Sequence, residues 1–375
     1  MASAEHRARI DRVNSLVGKA GLTAFLVTSK DSVYYLTGFK YEPFERPFFL
    51  IFRGKGDPEV IVPRIEAENM SQVPHLGKQH EYIDFPAMPG HGWLETLGQH
   101  VSKGEVIGVE PSLPSELFVR LKDFAPRVEP IIERARLVKS KDEIERIELT
   151  SRFSDLGMRM LFEASRPGAR IEAGYRRIED LKNAVIQQVG HLDQYVSSMW
   201  MGVWAAPFSA QPHRFPQPED TLGEGPNVAL VFIRINGYSA ETERTFFVTK
   251  PTAEERNVFK TLTQARQIAF EMLQPGVHAH DVDHKVMSFL RAEGLADNLL
   301  HRTGHGIGMG GHEGPWVAEG GDDVLEEGMV VSVEPGIYWR GKGGYRHSDT
   351  VLITANGYRS LTKFPTAIED MVLAS

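Results

Sequence analysis

The feature that most constrains this 375-residue chain is the dipeptide Asn236-Gly237. It stands between two apolar runs of strand length, residues 228–235 and 238–248. Asn-Gly supplies the two left-handed backbone positions that a two-residue hairpin loop requires. The pair therefore commits this segment to an antiparallel hairpin, whose apolar face must be covered by other elements. Flanking helices carry strong start signals. Ser140-Lys-Asp-Glu143 and Thr252-Ala-Glu-Glu255 both have capping-box spacing, and apolar residues at helical intervals follow each. Pro275-Gly276 ends the second helix, and a third, near residues 281–293, stops at Gly294. Residues 330–334 and 345–354 add two more strands. The spacing predicts an α+β domain with helices packed on an antiparallel sheet.

The first third reads differently. Ile10, Val13, Leu16 and Val17 share one face of an amphipathic helix. Short apolar runs at 24–27, 33–36, 48–52, 60–62 and 106–109 read as strands, and 66–72 and 115–122 as helices between them. That interleaving indicates an α/β layer domain. The pattern changes near residue 137, which divides the chain into domains 1–137 and 138–375.

Composition narrows the chemistry. There is no cysteine, which excludes disulfides, thiolate metal ligands, iron–sulfur clusters and a Cys nucleophile. Lys and Arg number 42 and Asp and Glu 50, a net charge of −8, which argues against a nucleic-acid partner. The first residues carry no secretory signal and no run is long enough to cross a bilayer, so a cytoplasmic protein with no membrane partner is expected.

Four segments of the second domain place polar residues in apolar surroundings. They are Gln211-Pro-His213-Arg214, the strand containing Glu241 and Glu243, the loop from His301 through His305 to His312-Glu313, and Val330-Val-Ser-Val-Glu334-Pro-Gly336. Each has a plain structural explanation. A single His such as His213 is more often a hydrogen-bonded surface group than a catalyst. The glycines around His305 could simply shape a loop, since no strand–turn–helix frame makes them a phosphate cradle. Glu241 and Glu243 could be one solvated strand face. His278, His280 and His284 have a spacing that can bind zinc, but with no third ligand a solvated helix start is the better reading.

Together, and in this order, the segments resemble the creatinase, prolidase, aminopeptidase P and methionine aminopeptidase superfamily, the pita-bread fold. Ser32-Val-Tyr-Tyr-Leu-Thr-Gly38-Phe39 is similar to the signature of that family's N-terminal domain. His305-Gly-Ile-Gly, His312-Glu313-Gly-Pro315, Glu334-Pro-Gly-Ile-Tyr338 and Arg346-His-Ser-Asp-Thr350 resemble its catalytic motifs. The resemblance implies an α+β pita-bread catalytic domain behind a creatinase-like α/β N-terminal domain.

The resemblance also implies a metal site, and this chain departs from it. Metal-dependent members hold two ions with Asp, Asp, His, Glu and Glu in that order. Glu241 stands at the second Asp position, His305 at the His and Glu334 at the first Glu. Leu230 occupies the first Asp position and Ser348 the last Glu. Two ions bring +4, and only two carboxylates remain to meet them, so a dinuclear site is not expected. Without a metal, facing carboxylates invite a cationic substrate.

Creatinase, the metal-free branch, works this way, and the resemblance extends to its residues. His213 matches its catalytic His, and Glu241 and Glu334 match the two Glu that bind the cationic head. Phe44 and Arg46 fall where creatinase closes its partner's site over the substrate carboxylate. The leading expectation is therefore a metal-independent hydrolase of a C–N bond in a small zwitterion, with no cofactor. His213 acts as base and acid, His305 and His312 donate to the developing oxyanion, and Arg346 joins Phe44 and Arg46 in substrate binding. A homodimer would be needed for the site. Two rivals stand beside it. One is an Xaa-Pro peptidase with a single ion on Glu241, His305 and Glu334, favoured by the peptidase-like His312-Glu313-Gly-Pro315. The other is a non-catalytic binding module on the same fold.

Overall fold

The computed structural model describes residues 2–42 and 44–373, with the side chains of residues 2 and 3 left aside. Chain contacts divide it into two compact units, Met1–Arg136 and Leu137–Ser375.

In the first unit the strands are β1 (Ala24–Val27), β2 (Phe49–Phe52), β3 (Glu59–Pro63), β4 (Gln79–Tyr82), β5 (Ile107–Val109) and β6 (Arg127–Val128). They form one mixed sheet in the order β4-β3-β2-β1-β5-β6. The β1–β5, β5–β6 and β3–β4 pairs are parallel, whereas β1–β2 and β2–β3 are antiparallel. Helix Ala2–Lys19 buries Ile10, Val13 and Val17, as the apolar stripe predicts.

Residues 33–36, expected as a strand, are helical instead, within Lys30–Thr37. The Ser29 hydroxyl caps that helix by accepting the Ser32 N–H at 3.2 Å, and Gly38 closes it. Burial of Val33, Tyr35 and Leu36 makes the apolar run a helix face, a choice that the cap decides. The helix Trp93–His100 and strand β4 gave no clear sequence signal: both are short, and β4 alternates polar Gln79 and Glu81 with buried His80 and Tyr82.

The second unit contains β7 (Ser198–Trp204), β8 (Asn227–Ile235), β9 (Tyr238–Phe246), β10 (Gly304–Gly306), β11 (Glu313–Val317), β12 (Val330–Val333), β13 (Gly336–Trp339), β14 (Gly343–Arg346), β15 (Ser348–Thr354) and β16 (Gly357–Ser360). The main sheet runs β11-β10-β12-β15-β9-β8-β7, with β16 paired to β15 and a separate β13–β14 hairpin. All of these strand pairs are antiparallel. The Asn236-Gly237 turn has φ of 46° and 99°, the left-handed pair that its sequence demands, and it joins β8 to β9 in continuous register from Asn227↔Phe246 to Ile235↔Tyr238. Both capping boxes form, at Ser140/Glu143 and Thr252/Glu255. Helices Lys141–Ala164, Ala253–Met272 and Ala279–Ala292 contribute Phe153, Leu161, Phe259, Leu262 and Val286 to one core with the sheet residues Val231, Ile233, Val331 and Val351. Among the described residues, no helix is long and apolar enough to cross a membrane.

Candidate active site

The sheet of the second unit brings together residues that are far apart in the chain. Glu241 projects from β9, His305 from β10, and Glu334 follows β12 directly. The β10 strand lies between β11 and β12, and its glycines let it do so: a Cβ on Gly304 would strike the Ser332 carbonyl, and one on Gly306 the Gly314 carbonyl. The glycines flanking His305 therefore serve close backbone approach.

His305 is fully buried. Its Nδ1 donates to the Gly306 carbonyl at 2.9 Å, which leaves Nε2 as the ring atom that faces the carboxylates. Nε2 lies 3.2 Å from Glu334 Oε1 and 3.7 Å from Glu241 Oε1, in charge contact with both carboxylates. Burial pushes the imidazole pKa down, but Glu241 and Glu334 outweigh it and raise it to about 9. Glu334 is the converse case: burial opposes its charge, yet His305 and Arg346 hold it down at about 2. Burial raises Glu241, which His305 and two hydroxyls only partly offset. His312 sits with its ring centroid 3.9 Å from that of His305, and desolvation and the His305 charge lower it to about 4, so it is neutral at pH 7.

The two departures from the family's ligand set have clear physical consequences. Ser348 Oγ donates to Glu241 Oε1 at 2.7 Å, and Ser332 Oγ donates to the same oxygen. The Ser348 hydroxyl is thus committed to holding Glu241. Leu230 pairs with Glu243 across β8 and β9 and offers no donor atom. The ligand atoms of Glu241, His305 and His312 all lie within 4.8 Å of one another, with Glu334 beside His305. Two carboxylates and two imidazoles fit a single divalent ion. They do not fit two, because positions 230 and 348 supply no ligand.

A cleft of about 660 Å³ opens onto this cluster. Glu241, Glu243, Glu334, His213, His312 and Arg346 line its polar side, and Trp200, Trp204, Leu230 and Phe232 its apolar side. Five of the sequence-derived residues, His213, Glu241, Glu334, His312 and Arg346, thus share one cavity, with His305 buried directly behind Glu241 and Glu334. His213 reaches it from the loop after Ala210, exposed and without a hydrogen bond among the described residues. Arg346 is buried, its Nε 2.6 Å from Glu243 Oε2 and its Nη1 3.3 Å from the Tyr338 hydroxyl. Phe44 and Arg46 belong to the first unit: Phe44 is 78 % exposed with φ 45°, and Arg46 pairs with Asp84 and Glu45.

Sequence reasoning gave no such role to Glu243, Ser332, Ser348 or His301. Glu243 is no solvated neighbour of Glu241 but the buried partner of Arg346, and burial drives its pKa upward against that arginine's pull. Ser332 and Ser348 hold Glu241, and His301 Nε2 lies 2.7 Å from the Tyr338 hydroxyl. Glu243 left a trace in the sequence as a second carboxylate on the same face of an apolar strand, and His301 as the start of the His305 segment. The His278, His280 and His284 cluster stays apart from the cleft; His284 pairs with Glu319, and His280 contacts its carbonyl.

Comparison with known proteins follows the same lines. The model for metallopeptidase family M24 matches residues 145–355, and the creatinase/prolidase N-terminal domain matches residues 9–138. The chain is 31 % identical over 363 residues to a Mycobacterium tuberculosis protein named "Probable dipeptidase PepE", covering 92 % of this chain and 91 % of that one. It superposes on the crystal structure of dipeptidase PepE from Mycobacterium ulcerans with a TM-score of 0.86 and 26 % identity, over the full length of both. The prolidase from Pyrococcus horikoshii shares the fold, with a TM-score of 0.77 at 23 % identity, covering 96 % and 99 % of the two chains. These findings correct the leading expectation. Full-length relatives carry dipeptidase names, so the creatinase-like, metal-independent reading is overturned in favour of its peptidase rival. The damaged ligand set does not move the chain out of its family: it belongs to metallopeptidase family M24, with a creatinase/prolidase N-terminal domain.

Proposed function

We propose that this protein is a peptidase for dipeptide-sized substrates, Xaa-Pro among them, that works with one metal ion per cleft. The observation that carries this reading is the buried His305 Nε2, 3.2 Å from Glu334 and 3.7 Å from Glu241, with the His312 ring beside it. Glu241, His305, His312 and Glu334 would hold the ion, which when bound supplies Lewis-acid polarisation of the scissile carbonyl. The dipeptidase names of full-length relatives support the substrate class. A 660 Å³ cleft is in the range that encloses a small ligand.

The chain's own residues supply the rest. Ser332 and Ser348 fix Glu241, so its carboxylate does not reorganise as substrate enters. His213, with both ring nitrogens unbonded, accepts a proton from the attacking water and returns it to the leaving nitrogen. Leu230, Phe232, Trp200 and Trp204 wall the cleft against water and receive an apolar side chain. Ion-dependent hydrolysis of Xaa-Pro dipeptides by the chelator-stripped, reloaded chain is expected. Undiminished turnover in chelator, or no turnover with zinc, manganese or cobalt, would sink the proposal.

The same reading assigns the substrate's terminal carboxylate to Arg46 of a second copy in a homodimer. Arg46 has one nitrogen, Nη2, without a bond, and a guanidinium forks well onto a carboxylate. Arg46→Ala is expected to raise KM about tenfold or more with kcat retained. An unchanged KM, or a monomer at assay concentration by sedimentation, counts against the assignment.

A further inference from the structure

The first unit contains a cluster that the peptidase reading does not use. Glu59 opens β3, His80 lies on β4 and His100 ends the helix Trp93–His100. One ligand atom from each lies within 4.8 Å of the other two. His80 Nε2 stands 2.7 Å from Glu59 Oε2, and the two imidazoles stack with centroids 3.4 Å apart and planes 20° from parallel. The His100 ring makes no hydrogen bond among the described residues. Positive charge is already close by: Arg53 Nε lies 3.8 Å from the other Glu59 oxygen, Oε1, and the Arg53 guanidinium also holds Glu105 and the His100 carbonyl.

We propose that Glu59, His80 and His100 form a structural site for a divalent ion of the zinc class, made entirely from first-unit residues. One carboxylate and two imidazoles are a standard ligand triad for zinc, and a water completes the tetrahedron. Adjacent ligands on bonds of about 2.0–2.1 Å stand roughly 3.3 Å apart, so Glu59 and His80 are already near that spacing. His100 must part from His80 to complete the set, and its half-exposed place at a helix end allows that movement. Burial and the facing His80 hold His100 below its ordinary pKa, so the imidazole is neutral and ready to ligate at pH 7. Arg53 occupies only Oε1, and Oε2 remains for the ion. Such an ion would tie two strands and a helix terminus together, in a unit that has no disulfide to do so.

The test counts zinc on the full chain after chelator stripping and equilibration. His305→Ala empties the cleft, so this variant is expected to keep one tightly held zinc. Adding His100→Asn or Glu59→Gln should weaken that zinc about tenfold or more. In an otherwise unaltered chain, His100→Asn and Glu59→Gln should each weaken one zinc by the same factor while dipeptide hydrolysis is retained. These changes sit on partly exposed side chains, so at least one is expected to fold, as far-UV circular dichroism will show. A His305→Ala chain that holds no zinc, or equal zinc in the variants and their parents, overturns the proposal.

Discussion

A His305→Ala chain is expected to bind one ion fewer than the unaltered protein and to lose about 10³-fold in kcat/KM. Nδ1–H is committed to the Gly306 carbonyl, so Nε2 is the atom that faces Glu241 and Glu334. Removing it leaves two buried carboxylates with no nitrogen between them. Loss of exactly one ion distinguishes a single-ion cleft from a dinuclear one, since Leu230 and Ser348 cannot hold a second. Ion counts and dipeptide hydrolysis check it, and retained activity would refute the role.

The same residue predicts a pH dependence. In the ion-free protein the His305 pKa is raised to about 9, above its ordinary 6.5. Its protonated form therefore stabilises the ion-free fold fully below about pH 6.5, and this contribution fades as pH rises through about 9. An ion must displace that proton, so apparent ion affinity should rise roughly tenfold per pH unit from 7 to 9 and then level off. Melting temperatures with and without zinc should diverge over the same interval. A flat affinity profile would contradict the assignment of His305 as a ligand.

The second large effect concerns folding. Asp349→Ala should cost about 3–5 kcal/mol, because it strands buried guanidinium charge. Arg244 is fully buried, and its Nη2 donates to Asp349 Oδ1 at 2.8 Å. Its remaining donors reach the carbonyls of Pro365, Phe364, Glu243 and Ser348 at 2.7–2.8 Å. Arg266 holds the other Asp349 oxygen at 2.7 Å. Truncating the aspartate leaves both arginines without their anion. For a unit of this size the loss corresponds to a fall in Tm of about 6–20 °C. Replacing both Arg244 and Asp349 with leucine should not rescue the fold, because the buried carbonyls of Phe364, Glu243 and Ser348 would then lose this donor. A Tm change below about 3 °C for Asp349→Ala would show that water relieves the charge.

Much of the fold was legible because its signals are local. A capping box is closed by residues three positions apart, and an Asn-Gly turn fixes its own backbone. The failure at residues 33–36 is also local: the apolar run fits either period, and the Ser29 cap decided for helix. Elements such as Gln79–Tyr82 and Trp93–His100 were missed because their short, polar sequences gain order mainly from tertiary packing. At the site, motif order identified the residue set. The activity implied by the two missing ligands, creatinase-like hydrolysis of a zwitterion, gives way to the peptidase reading that the dipeptidase names of full-length relatives favour.

The sequence by itself determined the hairpin, the capped helices, the family motifs and the absence of ligands at Leu230 and Ser348. Only the tertiary structure decided what surrounds those absences. Strand register set Glu243 opposite Leu230 and sent its carboxylate to Arg346, and it gave the Ser348 hydroxyl to Glu241. Charge and hydrogen-bond partners are settled by distances between strands that are remote in the chain. A sequence can show that a ligand is missing, but the register of its neighbours determines what the remaining ligands bind.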